Sequence, residues 1–135
     1  MHQAKVSAQR PRVRHALVPV FVAFLVGALH ALPGDEIAHA SWLDALQADK
    51  FIHMGLFAML AHSALVGLGK SGMMHRGRWF VLVGCVLYGM LLEWMQGAFC
   101  AGRYADGWDV LADALGVGLA WLSFRWVYRM WPGEG

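Results

Sequence analysis

The chain is 135 residues long, about one domain, with 59% hydrophobic and only 15% charged residues. That is more apolar surface than a water-soluble chain of this length hides, which excludes an ordinary soluble domain. The net charge of +2 is spread along the chain in a way that does not suggest a nucleic-acid partner.

Residues 1–15 form a basic tail carrying Lys5, Arg10, Arg12 and Arg14, and residues 16–131 read as one membrane domain. A bilayer core takes about 20 apolar residues as a helix. The first such block, Ala16 to Leu32, follows the tail and resembles the core of a signal peptide. A cleavage site wants small residues at −3 and −1, and Leu29 before Ala31 fits poorly, so a retained span is expected. Next comes LPGDEIAHASWLDALQAD, which opens on a Pro-Gly turn. Ile37, Trp42, Leu43 and Leu46 then recur at helical spacing opposite His39, Asp44 and Gln47, as in a short amphipathic helix on the membrane surface.

The second span runs from Phe51 to Gly69 and the third from Trp79 to Cys100, interrupted by Glu93 and Gln96. The fourth runs from Trp108 to Tyr128, with Asp113 inside it and Arg125 near its end. The expected fold is therefore all-α, a four-helix transmembrane bundle. Cys85 and Cys100 share the third span about 22 Å apart at 1.5 Å per residue, too far for a disulfide, and read as packing residues.

Lys5, Arg10, Arg12, Arg14, Lys70, Arg76, Arg78, Arg125 and Arg129 all fall on one side of a four-pass hairpin. By the positive-inside rule that side is cytoplasmic, with both termini in the cytosol of a cell whose inner membrane holds the protein. The first and third connections then face outward, with Trp94 and Trp108 at the outer interface and Trp79, Trp126 and Trp131 at the inner one.

With this orientation the polar residues inside the spans converge. His53 lies about 5 Å below Lys50, Glu93 about 10 Å and Gln96 about 6 Å below Cys100, and Asp113 about 6 Å below Asp109. Asp49 and His53, Glu93 and Gln96, and Asp109 and Asp113 are spaced so that each pair shares a helix face. Arg103 hangs over the same point from the turn between the third and fourth helices, and His30 is within reach from the end of the first. Ionisable groups in a span usually face the bundle interior and mark function, although interhelical hydrogen bonding alone explains any one of them. Lys50 with Asp106, or Arg103 with Asp109, would fix the loop. His62 falls on another face and reads as a packed or hydrogen-bonded histidine, while Gly84, Gly89, Gly116 and Gly118 read as close-packing positions.

DKFIHMGLFAML, LLEWMQGAF and GRYADGWDVLADALG together resemble the VanZ-like membrane proteins. The family pattern is Asp-Lys-x-x-His, Glu-x-x-Gln, and Gly-Arg with Asp-x-x-x-Asn before a Gly-containing last helix. It falls here on Asp49, Lys50, His53, Glu93, Gln96, Gly102, Arg103, Asp109, Asp113 and Gly116. The chain departs from it with Asp113 in place of Asn and Ala101 in place of Pro. The resemblance implies a small multi-pass protein linked to glycopeptide resistance, and no biochemical activity.

The leading expectation is a binding protein of the cell envelope. Its outer-leaflet site, Asp49, Lys50, His53, Glu93, Gln96, Arg103, Asp109 and Asp113, would meet membrane lipids or a lipid-linked envelope precursor, and the chain would self-associate as a homo-oligomer. The alternative is an intramembrane enzyme acting on lipid-linked substrates, with His53, Glu93 and Asp113 as acid, base or metal ligands. No HExxH or comparable motif occurs, so neither a metal nor another cofactor is expected. A proton-coupled transporter fits less well, since nothing polar lies at mid-membrane and no inverted repeat is visible.

Overall fold

Inside hydrocarbon every backbone N–H and C=O must be satisfied within the chain, so an apolar block of this length folds as a helix. The computed structural model describes residues 13–31, 48–99 and 104–129, apart from the side chains of Arg76 and Arg129. After a 3-10 turn, Val13–His15, it has four α-helices: α1 Leu17–His30, α2 Ala48–Lys70, α3 Met74–Phe99 and α4 Gly107–Arg129. Val13–His30, Ala48–Lys70, Gly77–Phe99 and Gly107–Tyr128 are each long and apolar enough to cross a membrane. The protein is an all-α, multi-pass membrane bundle, with no strand among the described residues. The tail up to Arg12, the expected surface helix between α1 and α2, Cys100 and Arg103 lie outside the described residues.

All four helix starts differ from the hydropathy reading, α1 by one residue, at Leu17 rather than Ala16. α3 begins at Met74 rather than Trp79, because its first turns carry His75, Arg76 and Arg78, which hydropathy discards and helix geometry does not. α2 begins at Ala48, taking Asp49 into its first turn, where the helix dipole favours an acid. α4 begins at Gly107, one residue before the expected Trp108.

The α2–α3 connection is a Schellman turn. The Met73 N–H donates to the Leu68 carbonyl at 3.2 Å and the Gly72 N–H to the Gly69 carbonyl at 3.0 Å. Gly72 sits at φ 67°, the left-handed conformation this motif requires.

One core stripe per helix faces inward. α1 offers a single narrow one, Val22, Val26 and His30, four residues apart. α2 contributes His53, Phe57, Leu60, Ala61 and Leu65. Leu82, Cys85 and Leu92 come from α3, and Val117, Ala120 and Phe124 from α4. α2 and α4 form the most extensive helix pair. A Cβ on Gly116 would collide with the Met54 carbonyl and lie 3.0 Å from the Ala58 nitrogen, so the missing side chain lets the two backbones touch. Gly89 packs likewise against Asp113 and Phe57. Gly84 and Gly118, expected to do the same, have nothing within 4 Å and face outward.

Trp79, Trp94, Trp108 and Trp126 all stand exposed on the bundle surface. At the end away from the site, the guanidinium groups of Arg78 and Arg125 each lie 5.8 Å from the Trp121 ring. His62 is paired with Ser123 at 3.3 Å and set edge-on to Phe124, the packed histidine its position suggests.

Candidate functional site

Five polar or charged residues are buried among the described residues: His30, His53, Glu93, Gln96 and Asp113. All five lie at the bundle end where α1 and α3 finish and α2 and α4 begin. Each continues the apolar stripe of its own helix, so the packing that buries Val26, Phe57, Leu92 and Val117 also drives these groups inward.

His53 is at the centre. Its Nδ1–H donates to Asp113 Oδ1 at 3.0 Å, and the same nitrogen is 3.8 Å from Glu93 Oε1. Glu93 is 2% exposed and Asp113 1% exposed. Glu93 Oε2 accepts the backbone N–H of Asp106 at 3.2 Å, which holds the α4 entrance onto α3. Glu93 Oε1 and Asp113 Oδ2 have no hydrogen-bond partner among the described residues. An unsatisfied buried carboxylate oxygen is costly, and its persistence calls for an explanation.

His30 closes the fourth side. Its ring stands edge-on to His53 with centroids 4.6 Å apart, and its Nδ1–H donates to the Val26 carbonyl at 2.8 Å. As the last residue of α1, its own carbonyl has no partner within the helix. Gln96 supplies one, its Nε2 donating to that oxygen at 2.8 Å. Gln96 is therefore a helix cap reaching across from α3, and it fixes where His30 sits.

A second, more exposed layer lies above. Lys50 Nζ bonds Asp109 Oδ1 at 2.9 Å, Asp106 Oδ2 at 3.1 Å and Asp49 Oδ2 at 3.2 Å. Asp106 caps α4: its Oδ1 accepts the Trp108 N–H at 2.9 Å. That bond, and then Lys50, hold the Asp106 carboxyl below its ordinary pKa. Among the described residues this layer sets three carboxyl groups, Asp49, Asp106 and Asp109, around the one ammonium of Lys50.

The sequence-derived residues thus divide. His53, Glu93, Gln96 and Asp113 come together in the buried layer, and Lys50 and Asp109 in the layer above. Lys50 does pair with Asp106, as its position suggests. Asp49 is not turned inward with His53: its side chain is 58% exposed and pairs with Lys50. Here Lys50 takes the place between α2 and α4. Asp106 and His30 are functional neighbours that periodicity undervalued. The Val22–Val26–His30 spacing was the available signal for His30, and the Asp before Gly-Trp, a cap position, was the signal for Asp106.

Two imidazoles and a carboxylate, His30, His53 and Glu93, have ligating atoms within 4.8 Å of one another. The expectation of no metal rested on contiguous motifs, whereas these three groups come from three different helices. In chemical terms the buried layer can accept hydrogen bonds, hold a proton between His53 and two carboxylates, or gather ligands around a cation. Compared with protein-family models, curated proteins and solved structures, the chain matches none.

Proposed function

We propose that this is a small integral protein of the cell envelope whose polar bundle end binds a polar group of a membrane lipid or lipid-linked cell-wall precursor. The observation that carries the reading is that the five polar residues buried among the described residues gather at one end of the bundle. Interhelical hydrogen bonding alone would scatter such groups and leave them satisfied, whereas Glu93 and Asp113 each keep an oxygen without a hydrogen-bond partner among the described residues. Positive-inside bias supports placing this end in the outer leaflet of the inner membrane, with both termini cytoplasmic. The VanZ-like motif order supports an envelope role of the kind linked to glycopeptide resistance.

The charge refines the ligand. Lys50 is already engaged by three carboxylates and the His53 Nδ1–H by Asp113, so neither is available to an anion. Among the described residues the carboxylate oxygens fit a donor: an amine, an amide N–H or a sugar hydroxyl. The test is mass-spectrometric comparison of lipids that co-purify with wild type, Glu93→Gln and Asp109→Asn. Enrichment of one amine- or amide-bearing envelope lipid on wild type alone is expected. Identical lipid profiles in all three folded proteins would overturn the reading.

A second reading, an intramembrane enzyme on lipid-linked substrates, draws on His53 standing between Asp113 and Glu93, an arrangement suited to a general base held in one tautomer. Turnover of envelope lipids by wild type and its loss in His53→Ala would favour it over simple binding.

A further inference from the structure

We propose that His30, His53 and Glu93 bind a divalent first-row transition-metal ion, with Asp113 as a positioning residue for His53. The three side chains are buried, come from α1, α2 and α3, and have ligating atoms within 4.8 Å of one another. A tetrahedral site with bonds of about 2.0–2.1 Å has ligand atoms about 3.4 Å apart, so small side-chain rotations draw this group onto an ion. Two imidazoles and one carboxylate suit zinc, cobalt or iron(II), and unlike an all-oxygen set they do not suit magnesium or calcium.

Both histidines are prepared for ligation. The His30 Nδ1–H donates to a carbonyl, Val26, which can only accept, so the lone pair of the neutral ring is on Nε2. The His53 Nδ1–H donates to the Asp113 carboxylate, the outer-shell pattern that fixes a ligating histidine and raises its basicity. Glu93 Oε1, in a residue 2% exposed, has no hydrogen-bond partner among the described residues. An ion there gives that oxygen its missing partner. The Lys50 ammonium does not compete for this place, since it pairs with Asp49, Asp106 and Asp109 in the layer above. Three protein ligands leave at least one coordination position for water or a ligand atom.

This inference uses the same site as the proposed envelope ligand and does not depend on that ligand, because the probe is the metal ion alone. The full chain is purified in detergent, stripped with a chelator, reloaded with zinc or cobalt and washed, and its metal is counted by elemental mass spectrometry. Wild type should retain one zinc per chain, and its cobalt form should show visible absorption of tetrahedral nitrogen and oxygen ligation. His30→Ala and Glu93→Gln should bind zinc at least 100-fold more weakly. Asp113→Asn should weaken it about 10–100-fold and shift the cobalt bands, as expected for an outer-shell partner. His62→Ala, whose histidine lies outside the cluster, should bind as wild type does.

Metal at well under one equivalent in wild type, or full retention in both His30→Ala and Glu93→Gln, overturns the inference. Should those variants fail to fold, the wild-type cobalt spectrum decides, since absence of ligand-field bands in the loaded protein overturns it equally. A metal-free wild type that still carries an envelope lipid overturns this inference and leaves the ligand reading standing. A metal-loaded one with no selective lipid does the reverse.

Discussion

Asp113 of α4 accepts the ring N–H of His53 of α2 at 3.0 Å, with the two residues side by side in the most extensive helix pair of the bundle. Removing one partner of a buried pair strands the other, at a cost of about 3–5 kcal/mol when charge is involved. Asp113→Ala should therefore destabilise the protein by about 3 kcal/mol. Asp113→Asn keeps an acceptor for the same N–H and should cost about 1 kcal/mol or less. Thermal unfolding of the three proteins in one detergent measures the difference, and equal losses would show that the pair is not structural.

Gly116 and Gly118 offer a contrast within one helix. A side chain on Gly116 meets the backbone of Met54 and Ala58, whereas Gly118 faces open space. Gly116→Ala should cost about 1–3 kcal/mol by pushing α4 off α2. Gly118→Ala should be neutral or stabilising by up to about 1 kcal/mol through helix propensity. Unfolding midpoints that fail to separate the two would contradict the close approach.

Tyr88 carries much of the link between α3 and α1. Its hydroxyl donates to the Ala23 carbonyl at 2.8 Å and lies against Gly27. Tyr88→Phe should cost about 1 kcal/mol. It should also speed hydrogen exchange in α1 more than in α2 or α4, because α1 buries only one narrow stripe. Uniform exchange across the helices would argue against this role.

Acid should loosen the α4 entrance. Asp106 has a folded pKa below its ordinary value, so its stabilisation is fully present above the unfolded carboxyl's pKa and disappears as pH falls through the lower folded one. An Asp106→Asn protein should lose part of this dependence below about pH 4. Melting curves from neutral to acid pH, run on both proteins, are the check; superimposable profiles would remove Asp106 from the acid response.

Much of this architecture was legible in the sequence. Apolar blocks of bilayer length give the four helices, and the shared depth of His53, Glu93 and Asp113 gives the buried layer. Periodicity ranks faces only approximately near a helix end, which is why Asp49, expected to share the inward face of His53, is exposed. Glycine spacing does not say which face is packed, so Gly84 and Gly118 were grouped with Gly89 and Gly116. The capping of His30 by Gln96 joins residues on helices that are distant in sequence, and only assembly of the bundle brings them together.

Native mass spectrometry of the intact protein released from envelope-lipid nanodiscs reads ligand occupancy of the buried polar end directly. A one-to-one adduct of organic mass is expected on wild type and absent from Glu93→Gln. Either no selective adduct on wild type, or the same adduct on both folded proteins, would contradict it.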